Sequence, residues 1–214
     1  TKPYMSLSLD FTYPVAYQND TVLVQLQKIF VNAFVGEDYA GRSPKGAFEA
    51  YDKDFTDDAL NLAQDMSDDL SLFGGCFQNI KTEVQDTTVN TITLKTEISS
   101  YMGGAHGSHT ITYCNIDRNT IEVLAEKDVF EGYSEKTISA LIVEALKEKY
   151  GEGVKDVLFE VEAVAPNGNF YFDDKGMVYV YNEYEIAPYS SGMITVALPY
   201  DKVNPLLKMK YQKK

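Results

Sequence analysis

Basic residues are scarce in this 214-residue chain, where 19 lysines and arginines stand against 32 aspartates and glutamates, giving a formal charge of −13. The electrostatic field of such a negative charge repels phosphate backbones and anionic lipid surfaces at long range. It attracts cationic proteins and ligands, although an acidic surface also serves solubility alone. We therefore expect no nucleic-acid partner, and charge favours a cationic protein as the partner.

Long hydrophobic runs are also absent, since a membrane span needs about 20 apolar residues. The best candidates, 22–35 and 138–146, are interrupted by polar residues such as Gln25 and Glu144. The chain begins at Thr1 rather than Met, so we expect that a leader or anchor has been removed. We accordingly expect membrane contact only through such an N-terminal anchor.

Cysteine is limited to Cys76 and Cys114, which both fall in strand-like segments. Their spacing alone cannot decide whether they form a disulfide, because the geometry of a bridge depends on how the strands pair. Two buried thiols are the other interpretation, since small cysteines are common in protein interiors. Both interpretations stay open at this point.

Histidine is limited to His106 and His109, which have H-x-x-H spacing in a glycine-rich turn. A zinc site needs further ligands, and Asp117, Glu185 and Cys114 are distant or better explained as structural residues. The aspartates between 52 and 69 lack the EF-hand order of calcium ligands and predict a solvated helix face. We therefore expect no metal and no other cofactor.

The first 125 residues predict an N-terminal α+β domain. Apolar and polar residues alternate from Tyr4 to Tyr13, which is typical of a half-buried strand. Two amphipathic helices follow, one capped near Asn19 and ending at Gly36, the other starting at Ser43–Pro44 and continuing to Met66. The sequence then predicts an antiparallel meander, with strands at 76–86, 88–102 and 108–116, a turn at 117–120 and a strand at 121–124.

Residues 126–214 predict a C-terminal α+β domain. Ser134 caps a helix that ends before Gly151, and 169–172 with 177–181 form a hairpin. A further strand at 193–198 precedes a short helix capped by Asp201, and the lysines beyond Leu207 indicate a frayed segment. The fold class is therefore α+β, with antiparallel sheets, packed helices and two intimately associated subdomains.

Two segments carry the candidate ligand-binding residues. Gly103 and Gly104 permit positive φ and can present His106 as a hydrogen-bonding or pH-sensitive group, although a histidine that only satisfies nearby carbonyls would need the same glycines. Tyr184, Glu185 and Tyr189 lie in a polar aromatic loop between two strands. Such loops bind sugars or protein surfaces, and they also serve as plain connectors whose tyrosines pack with their hydroxyls exposed.

Several motifs together resemble the extracytoplasmic region of RsiV-type anti-sigma factors, which is built from two paired domains of unknown function. They comprise Gly-Gly-Ala-His at 103–106, Asn-Ile-Asp at 115–117, Asn-Phe-Tyr-Phe at 169–172 with Asp-Lys-Gly at 174–176, and Tyr-Glu-Ile-Ala-Pro-Tyr at 184–189. In that family the pair occurs in secreted proteins and lipoproteins, in lysozyme-sensing anti-sigma factors and beside the catalytic domain of peptidoglycan deacetylases. The resemblance implies binding at the bacterial envelope, outside the cytoplasm.

Our leading hypothesis is a non-catalytic protein that binds a lysozyme-like protein or cell-wall glycan. We assign no catalytic residue, because no Ser-His-Asp or Cys-His arrangement is evident. An alternative hypothesis is a cell-wall hydrolase in which His106 and Glu185 act as acid and base in a shared cleft. A third is a purely structural envelope lipoprotein.

Overall fold

The computed structural model describes residues 5–65, 75–88, 90–102 and 104–213. The chain forms two compact units, one comprising residues 1–84 and 94–109 and the other 85–93 and 110–214. Helices and sheets occur in both units, which confirms the α+β class. Because three strands pass from one unit to the other, neither unit is continuous in sequence. The division into domains at residue 125 stays a prediction.

The first unit begins with the strand and two helices that the sequence predicts. They are β1 (Met5–Phe11), α1 (Asp20–Val35) and α2 (Pro44–Asp65). The side chain of Asn19 accepts hydrogen bonds from the backbone N–H groups of Thr21 and Val22, which satisfies donors that α1 cannot pair internally. Gly36 ends α1 with a φ of 97°. The predicted end of the second helix at Met66 lies outside the described residues.

The core of the first unit combines stacked rings with a buried hydroxyl pair. Phe11 of β1 stacks on Phe34 of α1 with ring centroids 4.2 Å apart. The hydroxyls of Thr82 and Thr96 lie 2.8 Å apart, and Thr96 also donates to the carbonyl of Ala33 at 2.8 Å. Both threonines are buried, so these hydrogen bonds compensate the removal of their hydroxyls from water.

Strands β2 (Cys76–Thr87), β3 (Thr91–Tyr101), β4 (Ser108–Asp117) and β5 (Glu122–Val123) follow in sequence order within a five-stranded sheet that begins with β1. The predicted meander is therefore present. The prediction of purely antiparallel sheets is wrong for one pair, because β1 runs parallel to β2 with Met5 opposite Cys76 and Phe11 opposite Thr82. Helices α1 and α2 provide the long crossover that parallel neighbours require.

The second unit contains the predicted helix, hairpin and final strand. They are α4 (Glu135–Tyr150), β6 (Phe170–Phe172) paired antiparallel with β7 (Gly176–Tyr181), and β8 (Ile194–Pro199) on the other side of β7. The sequence missed the short helices α3 (Glu126–Val129) and α5 (Val154–Val157). Every residue of the central strand β7 is buried, so both faces of this strand are covered.

Two terminal predictions need correction. Asp201 was expected to cap the closing helix α6 (Tyr200–Val203), but it lies in the first turn and the N-cap position is Pro199. A proline at this position makes no side-chain capping bond. The segment 208–213 is not frayed, because 209–211 forms a 3-10 helix and Tyr211 is buried.

Asparagine side chains pair with the backbone of β4 inside the second unit. Ile111 donates its N–H to Oδ1 of Asn182 at 2.7 Å, and Nδ2 of Asn182 donates to the Ile111 carbonyl at 3.2 Å. Asn169 repeats this arrangement by accepting from the N–H of Tyr113 at 2.8 Å while donating to the Ile111 carbonyl at 2.8 Å. Because a carboxamide carries the same donor and acceptor as a peptide group, these side chains replace a neighbouring strand.

Asn115 extends this arrangement toward the end of β4. Its Nδ2 donates to the carbonyl of Phe170 in β6 at 2.7 Å, and its Oδ1 accepts from the hydroxyl of Thr93 at 2.9 Å. Asn115 and Thr93 are both buried. Three asparagines therefore hold β4 to the hairpin, and we call Asn115, Asn169 and Asn182 the asparagine clamp.

We expect Asn182→Ala to lower the free energy of unfolding by about 1 to 3 kcal/mol, because the substitution leaves the buried N–H of Ile111 without its side-chain partner, whereas the Ile111 carbonyl keeps its bond from Asn169. Urea denaturation measures this change. Asn79→Ala is the matched control, since Asn79 is exposed and its amide makes one hydrogen bond of 3.4 Å to Ser99. Equal losses in the two variants would contradict the role of the clamp.

Tyr179 and Tyr181 allow a second test of the buried core. Both lie in β7 with about 1% exposure or less, but the Tyr181 hydroxyl donates to the Ala165 carbonyl at 2.8 Å whereas that of Tyr179 has no partner among the described residues. We expect Tyr181→Phe to destabilise the protein by about 1 kcal/mol and Tyr179→Phe to be neutral or stabilising. Thermal or urea unfolding checks both, and a larger loss in Tyr179→Phe would contradict this expectation.

Candidate functional site

The glycine-rich turn before β4 lies in the first unit. Gly103 is outside the described residues, and Gly104 has the predicted positive φ, at 102°. Gly107 packs so closely that a Cβ there would lie 2.6 Å from the carbonyl oxygen of Ser100. His106 is exposed and its Nδ1 lies 2.9 Å from the carbonyl oxygen of Gly107. Because a carbonyl can only accept, Nδ1 carries the proton in this contact.

His109, which follows on β4, takes part in a surface charge cluster. Its Nε2 lies 2.9 Å from Oε1 of Glu97, while Nζ of Lys95 lies 3.1 Å from Oε2 of the same carboxylate. The hydrogen bonds from His109 and Lys95 lower the pKa of Glu97. The side chain of His109 is 38% exposed, so this cluster is partly open to solvent.

Cys76 and Cys114 are both free thiols in this structure. Burial raises the pKa of Cys114 to about 12, so this thiol is protonated at neutral pH. Within the described ranges, no group of three or more His, Cys, Asp or Glu side chains is placed to hold a metal ion. Within the same ranges, no helix combines the length and apolar character that crossing a membrane requires.

The predicted aromatic loop lies in the second unit, directly after β7. Its first turn is closed by a hydrogen bond of 3.1 Å from the N–H of Glu185 to the carbonyl of Asn182. Tyr184 occupies this turn with a φ of 67°, a left-handed conformation that is rare for a bulky side chain. The side chain of Tyr184 is 57% exposed, and its ring centroid lies 5.8 Å from that of Tyr189.

Glu185 fixes this turn instead of projecting freely. One carboxylate oxygen accepts a hydrogen bond of 3.1 Å from Nδ2 of Asn182, and the other accepts one of 2.8 Å from Nδ2 of Asn167. Asn167 also donates to the Val180 carbonyl at 2.9 Å. The turn that presents Tyr184 is thus joined to the asparagine clamp through Asn182, a connection that the sequence alone does not show.

The predicted residues therefore fall into two groups. Tyr184, Glu185 and Tyr189 lie together in one loop of the second unit, whereas Gly104 and His106 belong to the first unit. The pairing of His106 with Glu185 in a shared cleft stays a prediction.

The sequence missed an ion pair between the buried carboxylate of Asp117 and the half-exposed ammonium of Lys210. This carboxylate is 2% exposed and accepts hydrogen bonds from Nζ of Lys210 at 2.6 Å and from the hydroxyl of Tyr211 at 3.0 Å. The N–H groups of Asn119 and Thr120 donate to its other oxygen at 2.8 and 3.3 Å. The sequence did predict a turn at 117–120. It could not predict that Lys210 and Tyr211 bind Asp117, because these residues lie more than 90 positions later in the chain.

Burial by itself raises the pKa of Asp117, but the bonds from Lys210, the Asn119 N–H and Tyr211 outweigh it and lower the pKa to about 2. A carboxyl whose pKa falls on folding stabilises the folded state above its ordinary pKa. That contribution is lost as the pH falls from about 4 to about 2. The pair thus stabilises the fold at neutral pH.

Fold and site together define an α+β protein of two units with an exposed aromatic loop. Residues 127–201 match the sequence profile of a family described as a protein of unknown function, DUF3298. No protein of curated function matches the chain.

A crystal structure of a DUF3298 family member from Bacteroides fragilis NCTC 9343 is similar over 94% of this chain and 84% of that chain, with a TM-score of 0.83 and 27% identity. A DUF3298 family protein from Pseudomonas aeruginosa PAO1 is similar over 65% of this chain and 66% of that chain, with a TM-score of 0.56 and 19% identity. The second likeness concerns the fold alone. Both are compatible with the RsiV-type resemblance, which stays a prediction.

We expect Asp117→Asn to lower the free energy of unfolding at neutral pH by about 2 kcal/mol, because the variant loses the charge that its buried hydrogen bonds stabilise. The variant should also lose less stability than the unsubstituted protein between about pH 4 and pH 2. Urea denaturation across this range measures both effects. Asp201→Asn, an exposed aspartate of α6, is the control, and the same pH profile for both variants would contradict the assignment.

Proposed function

We propose that this chain is a non-catalytic, extracytoplasmic binding protein of the bacterial envelope, and that its ligand is a cationic protein of the lysozyme type. The observation that carries the proposal is the exposed, conformationally strained Tyr184, whose ring lies beside that of Tyr189 and whose turn is fixed by the bonds of Glu185. A strained residue persists only where the surrounding structure stabilises its conformation, and such residues cluster at functional sites. The RsiV-type resemblance supports the envelope location.

The geometry of the loop suits recognition. A non-glycine residue in the left-handed region costs on the order of 1 to 3 kcal/mol. The hydrogen bonds around the turn must offset this cost, and they hold the Tyr184 ring in its exposed position. Tyrosine is enriched at binding hot spots because it buries much area with few rotatable bonds. A loop that is ordered before binding loses less conformational entropy when the complex forms.

Charge favours a protein ligand of opposite sign. The chain carries a formal charge of −13, which speeds and orients the approach of a cationic partner. Cell-wall glycan is the other candidate ligand. An envelope protein would encounter it, and tyrosine rings also pack against sugars. A binding experiment with both ligands distinguishes the two.

The same contacts argue against the hydrolase hypothesis. Both oxygens of Glu185 already accept hydrogen bonds from the side-chain amides of Asn182 and Asn167, so this carboxyl group is committed to the turn. A general acid needs a proton and access to the leaving group. Glu185 is better explained as the residue that orders the Tyr184 turn.

We expect Tyr184→Ala to weaken binding of lysozyme about tenfold in calorimetric titrations, which is the typical effect of removing an interfacial hot-spot ring. Tyr17→Ala should leave the affinity unchanged, since Tyr17 is another exposed tyrosine, at 44%, but lies outside the loop. Parallel titrations use soluble peptidoglycan fragments. Binding of the fragments alone would assign glycan as the ligand, and no heat with either would refute the proposal.

A comparison of two variants separates strain from recognition. Tyr184→Gly and Tyr184→Ala both remove the ring, but only glycine adopts a φ of 67° without a steric penalty. We expect Tyr184→Gly to be about 1 kcal/mol more stable than Tyr184→Ala, with equally weak ligand binding. Equal stability of the two variants in urea denaturation would contradict the strain at this position.

A further inference from the structure

A cleft of about 370 Å³ in the second unit is lined by polar, acidic and aromatic side chains together with Lys210 and Lys213. Its lining includes the three aspartates Asp86, Asp173 and Asp174, together with the ring of Tyr200. The hydroxyl of Tyr200 donates to the carbonyl of Asp173 at 3.1 Å, which fixes the ring against the β6–β7 turn. The cleft shares no residue with the Tyr184 loop, so it is independent of the proposed function.

The side chain of Lys213 lines this cleft. Its ammonium lies 5.3 Å from the centroid of the Tyr200 ring and donates a hydrogen bond to the carbonyl of Asp174. A cation at this distance from an aromatic face is attracted by the ring quadrupole. The cleft therefore offers an alkylammonium group an aromatic face, a carbonyl acceptor and nearby carboxylates.

Electrostatics around Tyr200 support this description. Burial raises the pKa of the Tyr200 hydroxyl, and the negative charges of Asp173, Asp86 and Asp174 raise it further. All three carboxylates are thus close enough to the ring to act on its ionisation. The same charges favour a cation in the cleft.

The two lysines that line the cleft are held differently. Lys210 is paired with the buried carboxylate of Asp117, so its ammonium is committed to the fold. Lys213 is exposed and is anchored through its backbone, because its N–H and carbonyl both bond to the side chain of Asn204, at 3.1 and 2.9 Å. The backbone anchor leaves the Lys213 side chain able to depart while the segment stays in place.

We propose that this cleft is a recognition site for the ammonium group of a partner protein's lysine side chain, and that Lys213 is a tethered resident which the partner's lysine replaces. A tethered group competes with an effective concentration in the millimolar range. The Lys213 side chain therefore weakens the binding of a single lysine and favours partners that present several lysines. Removal of Lys213 should strengthen binding.

Calorimetric titration with a pentalysine peptide at low ionic strength tests the proposal. Lys213→Ala should bind the peptide at least threefold more tightly than Lys155→Ala, an exposed lysine of α5 whose removal changes the net charge equally. Asp174→Asn should bind at least threefold more weakly than Glu148→Gln, a matched change on the exposed surface of α4. Equal effects within each pair would mean that only the overall acidic field attracts the peptide, and would overturn the proposal.

Two further titrations define the ligand and separate this site from the loop. Spermidine carries the same alkylammonium chemistry as a free polyamine, and we expect it to bind at least threefold more weakly than pentalysine. Binding of spermidine as tight as that of pentalysine would overturn the assignment to a partner's lysine. Tyr184→Ala should leave pentalysine affinity unchanged, whereas a loss equal to that in Asp174→Asn would overturn the independence of the cleft.

Discussion

The pairing of asparagine side chains with the backbone of β4 is the interaction on which the second unit depends. Asn182 and Asn169 supply the donors and acceptors that a neighbouring strand would otherwise provide to Ile111 and Tyr113. A buried backbone group without such a partner is costly. The hairpin of β6 and β7 can therefore bind β4 without extending its ladder.

Asn182 also connects this packing to the exposed loop that holds Tyr184. Asn182 bonds to Ile111 on one side and to Glu185 on the other, and its carbonyl closes the turn that holds Tyr184. The position of an exposed aromatic ring is therefore set by a buried amide. Rigid support of this kind keeps a recognition residue in one conformation, which limits the entropy lost when a ligand binds.

Local signals in the sequence predicted much of the fold. Asn19 and Ser134 cap helices as expected, and the hairpin of β6 and β7 forms where a turn separates two apolar runs. The parallel pairing of β1 with β2 was not predictable from alternation, because alternation specifies the faces of a strand and not the direction of its neighbour. The bond between Lys210 and Asp117 joins positions 93 residues apart, beyond the range of any local pattern.

In the candidate loop too, the sequence predicted the local composition but not the contacts with residues distant in the chain. The composition of 184–189 located a polar aromatic segment, but the positive φ of Tyr184 and the bonds of Glu185 to Asn167 and Asn182 depend on tertiary packing. Lys213 was predicted to belong to a frayed segment because its neighbours in sequence are lysines. In the structure its ammonium lies over the Tyr200 ring and donates to the carbonyl of Asp174, two residues that are distant in sequence.

The two cysteines have a consequence for how the molecule responds to its surroundings. Cys76 is 2% exposed and Cys114 keeps its proton at neutral pH because of burial. Thiol exchange and oxidation proceed through an accessible thiolate, which neither residue offers while the protein is folded. The chain consequently acquires its architecture without any oxidant, and the native state should be equally stable on the reducing and the oxidising side of a cell membrane.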